Sequence, residues 1–178
     1  MSKKSYSKLW GAVQHTPCSK KEEREFGKAK KEFVMCPEGG EVYYDKSWHR
    51  GLEDWEHLKE DKKIKFKICP AHQMIKDKKW EGEVIIESIP EKKKNEMITL
   101  IRNIGKRAYE RDPMDRVIKI EEKRIKEKGK INLRITTTEN QLALSLAKEI
   151  ISAFRDLKFK KKISWSHEED VVRIILRS

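Results

Sequence analysis

The chain has 178 residues, enough for one medium domain or two small ones. Charged residues make up 40% of it, the mean hydropathy is −0.86 and the net charge is +12. The chain is very polar, and no apolar run is long enough to span a membrane. No secretory leader pattern is read at the start, and three cysteines are an odd number for a disulfide framework, so a reducing cytoplasm is expected. The Lys- and Glu-rich, Gln-poor composition fits a thermophile source.

The positive charge favours an acidic partner, nucleic acid being the commonest, and it is unevenly spread. Residues 1–31 carry nine Lys/Arg against three acids, residues 32–80 ten against ten, and residues 81–178 23 against 17. Three segments follow: a basic N-terminal arm over 1–32, a neutral module over 33–80 and a larger domain over 81–178. The arm is either a segment that folds onto nucleic acid or a solvated terminus.

In the neutral module, Cys36-Pro37-Glu38-Gly39-Gly40 has the form of a zinc knuckle with Gly39 where a second cysteine would stand. Cys69-Pro70-Ala71-His72 is a knuckle with both ligands present. A structural zinc takes four N or S ligands, and the two knuckles supply Cys36, Cys69 and His72. Candidates for the fourth are Cys18, His15, His49 and His57. The competing reading is a decayed zinc ribbon, empty of metal and held by its aromatic residues.

From residue 82 onward the periods alternate between strand and helix. Val84 and Ile86 predict a strand; Ser88 and Pro90 are expected to open a helix striped by Met97, Ile101, Ile104 and Ala108, and Asp112-Pro113 to close it. Val117, Ile118 and Ile120 predict a second strand, and Lys128-Gly129 a hairpin turn. Ile131, Leu133 and Ile135 mark a third, and Thr138, three residues before Gln141, has the spacing of a capping box. Leu142, Leu146, Ile150 and Phe154 stripe the next helix, widened by Ala143 and Ala147. Phe159, Ile163 and Trp165 are expected on the buried side of a fourth strand, and Val172, Ile174 and Leu176 on that of a fifth.

The expected fold class is therefore α+β: a degenerate zinc-ribbon-like module followed by a ferredoxin-like (split βαβ) domain with one antiparallel sheet. Its open face would carry Lys130, Arg134, Lys158, Lys160, Lys162, Arg173 and Arg177, a platform for an RNA backbone. The alternative is that these cations only keep an exposed sheet soluble.

Five stretches together carry a family resemblance: Cys36-Pro37-Glu38-x-Gly40-x-Val42-Tyr43 with Trp48; Cys69-Pro70-Ala71 followed by Ile75-Lys76-Asp77 and Gly82-Glu83-Val84; Asp112-Pro113-Met114-Asp115-Arg116-Val117; Thr136-Thr137-Thr138-Glu139 with Leu142-Ala143; and Glu168-x-Asp170-x-Val172-Arg173. This set resembles small prokaryotic proteins related to the N-terminal part of the large-subunit ribosomal export adaptor, the one named for nonsense-mediated decay. In that family the two knuckles form a four-cysteine site, which implies Cys36, Cys69 and, by substitution, His72 as zinc ligands here, with Gly39 a departure. The adaptor binds the large ribosomal subunit, which implies a ribosomal or ribosomal-RNA partner.

The leading expectation is a non-enzymatic RNA- or ribosome-associated protein. A second is a protein–protein adaptor gripping its partner through Tyr43, Tyr44, Trp48 and Trp55. A third is a metal-dependent nuclease or RNA-modifying enzyme, for which His167-Glu168-Glu169-Asp170 is the one dense acid cluster beside a histidine. The bland reading of that run is a solvated hairpin turn.

Overall fold

A computed structural model describes residues 34–44, 46–51, 64–125, 127, 129–166 and 170–178. They belong to one compact unit, Glu32–Ser178. The basic arm, Cys18, His15, Trp55, His57 and His167–Glu169 lie outside the described residues. The class is α+β, with two mixed sheets and three α-helices among the described residues.

The first sheet is small. Its strands are β1 (Val34–Met35), β2 (Val42–Tyr44), β3 (Ser47–His49) and β4 (Lys65–Phe66), in the order β3-β2-β1-β4. β1 and β2 form a hairpin whose turn is the first knuckle: the Glu41 carbonyl accepts from the Cys36 amide at 2.7 Å, and Gly40 takes a φ of 73° that favours glycine. The seven-residue helix α1 (Pro70–Lys76) starts at the second knuckle. Cys69 is its N-cap, its sulfur accepting from the His72 amide, and Pro70 occupies the first turn, where its missing N–H costs nothing. The same turn that begins the helix thus sets Cys69 and His72 side by side.

The second sheet has five strands: β5 (Gly82–Pro90), β6 (Val117–Arg124), β7 (Lys130–Thr137), β8 (Lys160–Ser166) and β9 (Val171–Arg177). Helices α2 (Lys94–Arg111) and α3 (Asn140–Ala153) bury the expected stripes, Met97-Ile101-Ile104-Ala108 and Leu142-Leu146-Ile150 with Ala143 and Ala147. These close one core with Val84, Ile86, Leu133, Ile135, Ile174 and Leu176 from the sheet.

The strand order is β6-β7-β5-β9-β8, and β5 pairs in parallel with β9. The sheet is therefore mixed, not wholly antiparallel as the spacing had implied. In a split βαβ arrangement the strand after the second helix lies beside the first strand. Here that strand, β8, is displaced to the edge, and β9 takes its place. Hydrophobic burial decides the exchange. β9 brings Val172, Ile174 and Leu176 to the core, while Lys160 through Trp165 of β8 are all exposed. A lysine-rich strand at an edge also discourages pairing with another chain.

Several local expectations change for identifiable reasons. Ser88 does not cap a helix: it sits at φ 58° in a bulge of β5, where the Asn132 side chain accepts from its amide at 2.9 Å. β5 runs on to Pro90, and α2 follows a short 3-10 turn, Glu91–Lys93. Thr138 does not cap α3 either, since Glu139 holds that position; the Thr138 hydroxyl donates to the Met114 carbonyl at 2.5 Å and accepts from the Arg116 amide at 2.8 Å. Lys158 precedes β8, in a left-handed turn with φ 47°. Ile163 and Trp165 pair with the buried Ile174 and Val172, yet they are 39% and 50% exposed because the edge extends past the helical layer.

Candidate metal centre and basic surfaces

The β1–β2 turn and the start of α1 bring Cys36, Glu41, Cys69 and His72 together, and this cluster can hold a metal ion. One ligand atom from each lies within 4.8 Å of all the others. The His72 Nδ1 is 3.4 Å from Cys36 Sγ, 3.2 Å from Cys69 Sγ and 3.3 Å from Glu41 Oε2, and Cys69 Sγ is 3.8 Å from Glu41 Oε2. With metal–sulfur bonds near 2.3 Å and metal–nitrogen or –oxygen bonds near 2.0–2.1 Å, a tetrahedral site has edges of about 3.3–3.8 Å. Four of the six separations fall close to that range, and all six are within 4.8 Å. Cys36, Glu41 and Cys69 are fully or almost fully buried, and Trp48 and Met114 pack against the cluster of Cys36, Cys69 and Ala71.

Glu41 was absent from the sequence-derived ligand set. The readable signal was its position, two residues past the glycine that replaces the second cysteine. A Cβ on Gly39 would stand less than 3.0 Å from both Glu41 carboxylate oxygens and from the His72 ring. The Glu41 carboxylate thus occupies the room that a side chain at position 39 would need. Of the earlier candidates for a fourth ligand, His49 is described, and it is tied to the β2–β3 hairpin through the Ser47 hydroxyl at 3.0 Å and the Tyr44 carbonyl at 3.2 Å.

The centre is held from the five-stranded sheet. Arg116, just before β6, pairs with Glu41 Oε1 through Nη2, donates from Nη1 to His72 Nε2 at 2.9 Å, and is anchored by the Pro113 carbonyl at 2.8 Å. Tyr109 of α2 donates its hydroxyl to Glu41 Oε1 at 3.3 Å and lies under the Arg116 guanidinium. Burial pushes the Glu41 carboxyl up, but the hydrogen bond and charge of Arg116 outweigh it and hold it below the ordinary carboxylate value. Burial pushes the Cys69 thiol up to about 11, with the neighbouring Cys36 and Glu41 adding to the shift. A guanidinium cannot accept a hydrogen bond, so His72 Nε2 is the acceptor and the imidazole proton sits on Nδ1, facing the two sulfurs and the carboxylate.

The expected basic platform is less bare than its spacing implies. On the open face Glu83 accepts from Arg134 at 2.5 Å and from Arg173, Glu121 takes the other side of Arg134 at 2.8 Å, and Glu87 pairs with Arg177 at 2.6 Å. Arg134 also stacks on Trp80, 4.8 Å from the ring centre. Lys130 pairs with Glu127 at 2.7 Å. Lys158, Lys160 and Lys162 have no carboxylate partner among the described residues. An open groove of about 490 Å³ between α2 and β6 adds Arg102 and Lys106 beside Tyr109 and Arg116.

The aromatic residues of the small sheet pack inward in part. The Tyr43 and Trp48 rings are 5.5 Å apart and tilted, and Trp48 lies against the cysteine cluster. Among the described residues no helix is long and apolar enough to cross a membrane. Comparison of the chain with protein-family models, with curated proteins and with solved structures found no match.

Proposed function

We propose that this is a non-enzymatic RNA- or ribosome-associated protein that binds RNA backbone along the β8 edge of its larger sheet. One observation carries the reading: Lys158, Lys160 and Lys162 line an exposed edge without carboxylate partners among the described residues, whereas Arg134, Arg173 and Arg177 are paired. Cations that keep no internal partner release counterions when a phosphate replaces them, which drives backbone binding. Trp165, half exposed on the other side of the same strand, offers a face on which an unpaired base can stack.

In this reading the larger sheet is a ferredoxin-like arrangement extended by a C-terminal hairpin, and the small sheet with α1 is a ribbon-like module whose metal is zinc. Two buried sulfurs, a ring nitrogen and a carboxylate within 4.8 Å of one another support zinc, and free cysteines at 36 and 69 fit a cytoplasmic setting. The resemblance to the ribosomal export adaptor's relatives supports a ribosomal partner.

The test is fluorescence anisotropy of the full chain with single-stranded and duplex RNA over a salt series. Changing Lys158, Lys160 and Lys162 together to Gln is expected to weaken binding and to reduce the log–log salt slope for single strands by about 2, at roughly 0.7 per phosphate contact. Salt-independent binding, or a triple variant that binds like the parent, overturns the proposal.

A further inference from the structure

We infer that Glu41 is the fourth zinc ligand, taking the place left by Gly39, and that through Arg116 it makes one ion the latch between the small sheet and the large one. The inference rests on the zinc reading above and adds the ligand set and its task.

The two carboxylate oxygens of Glu41 face different ways. Oε2 points at His72 Nδ1 and Cys69 Sγ, in the middle of the donor set. Oε1 points out of it, to Arg116 and the Tyr109 hydroxyl. That is the arrangement of a carboxylate bound to metal through one oxygen and oriented by hydrogen bonds at the other. The charges agree. Two thiolates and one carboxylate outweigh a zinc ion by one negative charge, and Arg116 supplies the missing positive charge at the buried centre.

Gly39 and Glu41 are then one device. A side chain at 39 would collide with the Glu41 carboxylate and with the His72 ring, so the glycine is what lets both ligands close on one point. The carboxylate has a consequence for the fold. A thiolate has no second oxygen to offer, whereas Glu41 extends the site to a helix and a strand entrance of the larger sheet. Met114, from the same loop as Arg116, packs on the cysteine cluster, and Thr138 at the end of β7 holds that loop in place.

The experiment is zinc competition against a chromophoric chelator on the full chain, paired with hydrogen exchange with and without zinc. The parent is expected to bind one zinc per chain, and Glu41→Ala to bind at least about 100-fold more weakly, the upper end of what loss of an outer partner costs. Gly39→Ala, which puts a methyl group where the carboxylate lies, is expected to weaken binding in the same direction. The double change Gly39→Cys with Glu41→Ala is expected to bind zinc more tightly than Glu41→Ala alone, since it restores a fourth ligand, and less tightly than the parent, since the His72 ring must shift to admit the new side chain. Zinc is expected to slow exchange across residues 112–117 in the parent and not in the double variant, which coordinates without the latch. Glu41→Ala binding as tightly as the parent, or equal protection of 112–117 in the double variant, overturns the inference and leaves the zinc reading standing. A parent chain that binds no zinc overturns both.

Discussion

Arg134 of β7 and Glu83 of β5, 51 residues apart in sequence, meet at 2.5 Å on the open face of the sheet, and Arg173 of β9 closes on the same carboxylate from the other side. Glu83 is 3% exposed. A nearly buried carboxylate between two guanidiniums costs little while both partners remain and a great deal when one is removed. Replacing Glu83 with Gln takes the counter-charge from Arg173 and leaves Arg134 with Glu121 alone. We expect a loss of about 1–2 kcal/mol, below the range for stranding a buried charge, because both arginines reach solvent and Arg134 keeps Glu121. Urea unfolding reads it as a lower midpoint at unchanged slope.

The same carboxylate sets an acid limit. Burial raises the Glu83 pKa, but hydrogen bonds and charge from Arg173 and Arg134 outweigh burial, so its folded value lies below the ordinary 4.5. A depressed carboxyl contributes stability that is fully present above the unfolded value and is lost as pH falls through the folded one. Glu81 and Glu139 are raised by burial and neighbouring acids, so the strain of their charged forms is relieved as pH falls. The difference between parent and Glu83→Gln isolates the Glu83 contribution. It is expected to be constant from pH 7 to about 4.5 and to shrink below that. A difference that grows on acidification contradicts this account.

Gly82 begins β5 where α3 starts. A Cβ there would stand less than 3.0 Å from the Thr137 hydroxyl, the Ala143 methyl and the Glu139 carbonyl. Gly82→Ala is therefore expected to destabilise the fold by about 1–3 kcal/mol, as overpacking does. Gly129, at φ 76° in open space, separates the two causes: Gly129→Ala would suffer from its backbone alone. Thermal unfolding of the two variants, with the larger drop expected at Gly82, checks this.

Trp165 gives the RNA reading a test independent of charge. Its ring is half exposed at the sheet edge, so Trp165→Ala removes little core. Base stacking on an aromatic ring is worth about 1–3 kcal/mol, so single-stranded RNA is expected to bind roughly 5- to 150-fold more weakly. Duplex RNA, whose bases are stacked internally, is expected to bind the variant and the parent alike. Equal loss for both forms would mean that Trp165 supports the edge and does not read bases.

Zinc is expected to move the His72 proton. The ring nitrogen that faces the sulfurs, Nδ1, must lose its proton to bind metal, and Nε2 then carries it, so the Arg116 Nη1 contact opens while Nη2 keeps Glu41. Long-range nitrogen–proton correlation spectra report the tautomer directly. A tautomer unchanged by one equivalent of zinc places the ion away from Nδ1.

The helical stripes of α2 and α3 and the alternations of β7 and β9 are legible along the chain because burial period is a local property. Met97-Ile101-Ile104-Ala108 and Ile131-Leu133-Ile135 need no partner to announce which side is wet. The grouping of Cys69 with His72 was legible too, since a helix N-cap sets their spacing within one turn. What only the tertiary structure decided are the relationships between distant residues. β9 outcompetes β8 for the place beside β5 because it has three core residues to bury beneath the helical layer, a comparison no single strand contains. The arginines of the open face look free in sequence and are paired in space, because Glu83 and Glu87 come from a strand about 50 to 90 residues away. Glu41 reads as an ordinary polar residue until folding closes Gly39, His72 and Arg116 around it, since a carboxylate becomes a candidate ligand only when burial leaves it no water and three donors surround it.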